Sequence, residues 1–219
     1  MNMMYKFLYF TLPRLKFLKY AKGSRYLDFG CGNGVALRQN LAVRPDLNYF
    51  CIDVENFSKE LPHNVAFLVY DGLNVPYRNS SFDIIVANHV LEHIHNPDMI
   101  LLELKRIMKD GGHLFIEVPN ERSLWGKSGG RFAGTVHFQD DPTHIRPYSK
   151  IDLTELCQKI GFKIIEIRIS RNLLHLILSP ILVVLGLIMP KKLYFMYARN
   201  SVLGWASYVI LKKEQNEEH

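Results

Sequence analysis

Residues 26–34 read Tyr26-Leu27-Asp28-Phe29-Gly30-Cys31-Gly32-Asn33-Gly34, an apolar strand that runs into a loop with three glycines. A glycine-rich turn at the carboxyl end of a strand lets backbone approach a bulky ligand, and the next helix then starts directly against it. The spacing matches neither common phosphate loop. No Lys-Ser/Thr follows the last glycine, and the order is G-x-G-x-G rather than G-x-G-x-x-G. Asp28 stands two positions before Gly30. A carboxylate there would repel a pyrophosphate and suits a ligand with a cationic or amine end.

Outward from this loop the chain alternates strand-like and helix-like blocks. A helix is expected over residues 35–42, a second strand over 48–54 carrying Asp53, and a third over 65–70 leading to Asp71-Gly72. A fourth strand covers 81–87, with a helix beginning near His89. A longer helix runs from Asn96-Pro97 through Met108, with apolar Met99, Ile100, Leu102, Leu104 and Ile107, and Lys109-Asp110-Gly111-Gly112 closes it. A fifth strand spans 113–118, a helix 150–160 and a sixth strand 163–169. Apolar strands separated by helices imply a parallel sheet covered on both faces. Ligands of such sheets bind beyond the carboxyl ends of the strands, where Asp28, Asp53 and Asp71 all fall.

A chain of 219 residues suits one domain with a single core. Its three cysteines, Cys31, Cys51 and Cys157, form no C-x-x-C pair, which argues against a zinc ribbon or disulfide framework and fits a reducing compartment. The net charge of +6 is placed unevenly: basic residues crowd the first 25 positions and bracket the greasiest segment. Such mixing suits an anionic membrane surface better than nucleic acid.

Further motifs follow the glycine loop: Cys51-Ile-Asp-Val, Tyr70-Asp-Gly-Leu, Ser81-Phe-Asp-Ile-Ile-Val-Ala-Asn-His-Val-Leu-Glu-His-Ile, and Lys105-Arg-Ile-Met-Lys-Asp-Gly-Gly-His-Leu-Phe-Ile-Glu-Val-Pro-Asn. In this order and spacing, residues 25–169 resemble the small-molecule branch of the class I S-adenosylmethionine-dependent methyltransferases, including ubiquinone- and menaquinone-type and lipid- or saccharide-modifying members. The resemblance implies an α/β fold: a doubly wound, mostly parallel seven-stranded Rossmann-like sheet with an antiparallel last strand, here residues 205–212. The domain would span 25–219, after an amphipathic segment 1–24 and with an apolar helical insertion at 171–200. The implied cofactor is S-adenosyl-L-methionine. Asp28 and the backbone of Gly30, Cys31, Gly32, Asn33 and Gly34 would hold its methionine end. Asp53, beside Val54, would accept from both ribose hydroxyls, and Asp71, Gly72 and Leu73 would border adenine. Asn88 and His89 would face the reacting centre. A fixed carboxylate is a matched acceptor for two adjacent hydroxyls. The bland reading of each aspartate is a helix cap.

On the acceptor side, His89, Glu92 and His93 are spaced i, i+3, i+4 and would share one helix face. A similar acidic and histidine cluster binds a divalent ion in ubiquinone-pathway O-methyltransferases. His89 here replaces a carboxylate of that pattern, magnesium prefers oxygen ligands, and no metal is assigned. His89, His93 and His144 are the candidate proton acceptors. His144 and Arg146 lie in a polar stretch, 137–149, that borders the acceptor pocket in related enzymes; the bland reading has Ser149 capping the next helix while His144 and Arg146 tie down the loop. The glycine-rich piece 126–134 has the composition of a lid.

Residues 172–190 hold an apolar run at the lower length limit of a membrane span. A single crossing would strand residues 205–212 on the wrong side of the bilayer, so the run is expected to bend at Pro180, Gly186 and Pro190 and lie in the interface, joined by residues 1–20. The expected activity is methyl transfer to a small or lipid-linked acceptor, more readily at oxygen. The location would be cytoplasmic, peripheral on the inner membrane face, with contact through 1–20 and 172–197. An oligomer stays open, and no nucleic-acid partner is expected. Two alternatives remain: a soluble natural-product or saccharide methyltransferase whose insertion is a lid, and a cofactor-binding scaffold without turnover.

Overall fold

The structure, a computed structural model, describes residues 12–21, 25–125, 137–189 and 194–215. One seven-stranded sheet has the order β3-β2-β1-β4-β5-β7-β6. Its strands are β1 (Arg25–Phe29), β2 (Asn48–Asp53), β3 (Ala66–Val69), β4 (Phe82–Asn88), β5 (Met108–Pro119), β6 (Lys163–Ser170) and β7 (Ala206–Lys212). The first five are parallel, and β7 slots between β5 and β6, antiparallel to both. The helices are α1 (Pro13–Phe17), α2 (Val35–Val43), α3 (Pro97–Ile107), α4 (Lys150–Lys159), α5 (Leu173–Ile177), α6 (Ser179–Ile188) and α7 (Tyr194–Leu203).

Alternate residues of β1 enter different cores. Leu27 and Phe29 join Ile85, Ala87 and Ile116 on one face, whereas Tyr26 joins Ile84, Val86 and Phe115 on the other. This is the period of two expected of a strand buried on both sides. α3 starts because Asn96 accepts from the Met99 N–H and Pro97 occupies the first turn. It buries Ile100, Leu101, Leu104 and Ile107. Of the helix's apolar positions, Met99 and Leu102 face solvent, and the helix phase places Leu101 in the core. α4 opens with the capping box of Ser149 and Asp152.

Three expectations change. The stretch from Lys109 to Gly112 belongs to β5, which absorbs it through a register shift against β4 between Phe82 and Ile84. The helix expected from His89 is only a 3₁₀ turn at Leu91–His93. Residues 12–20 turn their apolar side chains into the domain: Leu15, Phe17 and Leu18 are fully buried, and the Phe17 ring packs 5.4 Å from that of Phe115. The apolar face of α2 and β5 needs that cover, and it draws the segment into the domain. Residues 1–11, the 126–134 stretch and Pro190 lie outside the described residues.

Candidate functional site

The strand order turns back between β1 and β4, and a crevice opens beyond the carboxyl ends of strands at such a switch point. The glycine loop forms one side. Gly30 and Cys31 N–H both donate to Ile52 O, at 2.8 and 3.2 Å, and tie the loop to the end of β2. Gly30 has φ +69°, and a Cβ there would meet the Val90 side chain at 2.5 Å. At Gly32 (φ +49°) a Cβ would meet nothing within 4 Å, so its backbone borders open space. Asn33 is exposed, and Gly34 is the residue before α2.

Asp28 is 1% exposed, and its Oδ2 has no hydrogen-bond partner among the described residues. Burial pushes its carboxyl up to about 7; the Arg14 guanidinium opposes the shift and the charge of Asp53 adds to it. A buried carboxylate with an unpartnered oxygen is costly unless a cation or donor joins it. Asp53 Oδ2 accepts from Gly32 N–H at 2.8 Å and Oδ1 from Glu55 N–H at 3.1 Å, which clamps the ribose candidate against the loop. Asp71 is exposed and closes its own turn: Oδ1 accepts from the N–H groups of Leu73 and Asn74, each at 2.8 Å. Those bonds, Asn74's first, hold its carboxyl below the usual range. Val54 and Leu73, flanking these aspartates in sequence, leave apolar side chains bare.

The far side centres on His89. Its backbone is left-handed at φ 57°, a cost for a residue with a Cβ that clusters at functional sites. Its Nδ1 lies 3.0 Å from Oε1 of Glu92, a fully buried carboxylate. A carboxylate only accepts, so Nδ1 carries the proton and Nε2 keeps a lone pair. Burial would lower the pKa of His89, but the Glu92 hydrogen bond and charge, with help from Glu117, outweigh it and raise the value. A cleft of about 480 Å³ is walled by Asn88, His89 and Glu117 from the strand ends, by Arg14 and by His175 and Tyr197. Arg14, 6% exposed, is held by Ala36 O, Asn40 and Gln39 of α2, so this cation serves the crevice rather than a membrane.

The helical face shared by His89, Glu92 and His93 is not observed: the 3₁₀ turn keeps Glu92 against His89 but turns His93 away from the cleft. His93 leaves the cleft for the 137–149 loop. Thr143 Oγ1 donates to Asp141 Oδ1 at 2.6 Å, so it accepts from His93 Nδ1 at 2.8 Å. His144 Nδ1 donates to Phe138 O at 2.7 Å, and its ring stacks on Phe138 at 4.5 Å. Neither histidine is among the cleft walls, and Arg146 lies over the Tyr148 ring at 4.7 Å. Both contacts follow the loop-fastening reading, as does Ile145 N–H donating to Glu92 O at 2.8 Å. Though no metal is expected from the sequence, Glu92, His93 and His144 each offer a donor atom within 4.8 Å of the others, and Glu92 Oε2 is buried without a partner among the described residues. Two imidazoles and a carboxylate could hold a borderline ion such as zinc better than magnesium.

Arg14, Glu117, His175 and Tyr197 are among the cleft residues that sequence reasoning missed as site residues. Glu117 carried a signal, being the one acid in the apolar run of β5. The others carried none, because they come from α1, α5 and α7.

Fold, glycine loop and strand-end acids together define a class I cofactor-binding α/β domain. Within that class, the chain belongs to the S-adenosylmethionine-dependent methyltransferase family: a family model described as a methyltransferase domain matches residues 7–167. It is 30% identical over 166 residues to an O-methyltransferase of Aspergillus nomiae, covering 68% of each chain. To the ubiquinone biosynthesis O-methyltransferase of Dechloromonas aromatica it is 34% identical over 111 residues, 45% of each. A solved S-adenosylmethionine-dependent methyltransferase from Archaeoglobus fulgidus shares the fold with TM-score 0.63 at 21% identity, covering 90% of both chains. The chain spans less than half the length of several curated relatives it matches.

Proposed function

We propose that this protein binds S-adenosyl-L-methionine and transfers its methyl group to a hydroxyl of a small or lipid-linked acceptor, with His89 as general base. The residues fit the cofactor: Asp28 has an orphaned buried oxygen where a cationic ammonium would complete it, and Gly32 leaves open space where a Cβ would intrude. Asp28 and the Gly30–Gly34 backbone would hold the methionine end, Asp53 the ribose, and Asp71 with the bare Val54 and Leu73 the adenine. Bound there, the cofactor supplies an already activated sulfonium methyl.

What remains for the chain is orientation and a place for one proton. When the acceptor oxygen takes up the methyl group, its hydroxyl proton would pass to His89 Nε2, which the cleft wall presents beside Asn88. Glu92 steadies the imidazolium through Nδ1, and Asn88 and Glu117 line the approach. The observation that carries this reading is the left-handed His89 paired with buried Glu92 on the cleft wall. The reading keeps the protein cytoplasmic and peripheral on the inner membrane face, with contact now confined to 172–197. Incubation with methyl-labelled cofactor, a total lipid extract and a panel of soluble hydroxylated compounds tests it. Label should appear in an ether-linked product and vanish in His89→Ala; tight cofactor binding with no labelled product across the panel would favour a scaffold.

A further inference from the structure

The insertion between β6 and β7 is unusual in what it leaves bare. α6 reads Ser-Pro-Ile-Leu-Val-Val-Leu-Gly-Leu-Ile without a charged residue, and only Gly186 in it is buried, where α7 approaches so closely that a Cβ would meet the Phe195 backbone N at 2.9 Å. Ile177, Ile181 and Ile188 are 68%, 59% and 72% exposed. A helix apolar all round is stable in water only when something covers it. No helix of the described residues is long and apolar enough to cross a membrane.

Charge points to the cover. Between Glu166 and Glu214 the sequence holds no Asp or Glu, while Arg171, Lys191 and Lys192 fall inside that stretch; Arg168, at its start, pairs with Glu166 at 3.1 Å. Two copies pairing by this face about a twofold axis would bring like charges together. An anionic lipid surface instead accepts the apolar side chains and neutralises the cations. The same helices reach the cleft: His175 of α5 and Tyr197 of α7 stand on its wall with rings 4.8 Å apart, among exposed Leu173, Ile177 and Val202.

We infer that α5–α7 dock on an anionic bilayer and that the acceptor is itself lipid-anchored, reaching Asn88 and His89 from the bilayer past His175 and Tyr197. This rests on the Asn88–His89 cleft being the acceptor site, as proposed above. The apolar anchor of the acceptor stays with the lipid, and only its hydroxylated head enters the cleft.

The full chain is to be sedimented with phosphatidylcholine vesicles with and without phosphatidylglycerol, alongside Ile177→Glu, Ile181→Glu and Ile188→Glu combined. These positions are exposed and line neither the cleft nor the glycine loop, so S-adenosylmethionine binding in the triple variant reports that the fold survives. The expected result is salt-sensitive binding to the anionic vesicles only, reduced about tenfold or more in the variant while cofactor affinity is unchanged. Labelled methyl should then be recovered in an organic-extractable product of vesicle-presented lipid, with yield falling in the variant. Absence of vesicle binding at low salt overturns the inference, as does a dimer in solution that the same triple variant dissociates. Label found only in soluble compounds overturns the lipid-borne acceptor while leaving methyl transfer intact; absence of cofactor binding would instead refute the functional reading beneath it.

Discussion

The proposed cofactor side of the crevice hangs from the ends of adjacent strands, each giving one short loop, whereas the proposed acceptor wall draws on α1, α5, α7 and the strand ends of β4 and β5. On the first side the geometry is local: Gly30 and Cys31 bond to Ile52 O one strand away, and Asp53 answers Gly32. On the second, Arg14 and Tyr197 line one cleft from positions most of the chain's length apart. A wall made of strand ends can change little without losing the sheet. A wall made of inserted helices can be rebuilt for another acceptor while the sheet stays as it is.

That contrast can be broken by substitution. His89→Ala should lower turnover by about 10²–10⁴-fold, the range for loss of a positioned base, with cofactor affinity changed far less; equal losses in both would move His89 to the cofactor side. Asp28→Asn should act in two directions. Losing a charged partner should weaken S-adenosylmethionine binding by about 1.5–3 kcal/mol. Yet the ligand-free protein should become more stable at pH 8. The folded pKa of Asp28, about 7, lies above its unfolded value, so stability from the protonated form is lost as pH rises from about 4 to about 7 and stays lost above, a cost on the order of a few kcal/mol that asparagine avoids. Thermal melts at pH 5 and pH 8 read this out, and a variant less stable at pH 8 contradicts it.

Asp53→Ala should weaken cofactor binding by about 1–3 kcal/mol, measured by calorimetry; unchanged affinity would end its ribose role. The smallest effect belongs to Glu92→Gln. Glu92 raises the pKa of His89, and the base works unprotonated, so the acid limb of the activity profile should move to lower pH in the variant. An unmoved limb would show that His89 does not set it.

The same contrast explains what the sequence revealed. The sheet, the glycine loop and the three aspartates were legible because each is written within one short segment whose period or turn chemistry has a local cause. Asp71 was legible in place but not in posture, since its turn with Leu73 and Asn74 follows from bonds two and three residues on. The 3₁₀ turn at Leu91–His93 was not legible. The spacing His89-x-x-Glu92-His93 fits a helix as well, and what stops one is the left-handed His89 together with the Tyr148 hydroxyl donating to Leu91 O at 3.2 Å, from a loop more than fifty residues away. Arg14, one of the basic residues crowding the first 25 positions, was not legible as a buried cation because its acceptors, on α2, are assigned by packing alone.

The central claim is that the crevice at β1 and β4 holds S-adenosylmethionine through a buried carboxylate that must ionise to do so. Titration calorimetry of the intact protein with S-adenosylmethionine from pH 5 to pH 9 tests it most directly. The account predicts binding that weakens as pH falls below about 7, as Asp28 takes up a proton, and a flattened profile in Asp28→Asn. No binding at any pH, or binding with the same pH profile in that variant, would contradict it.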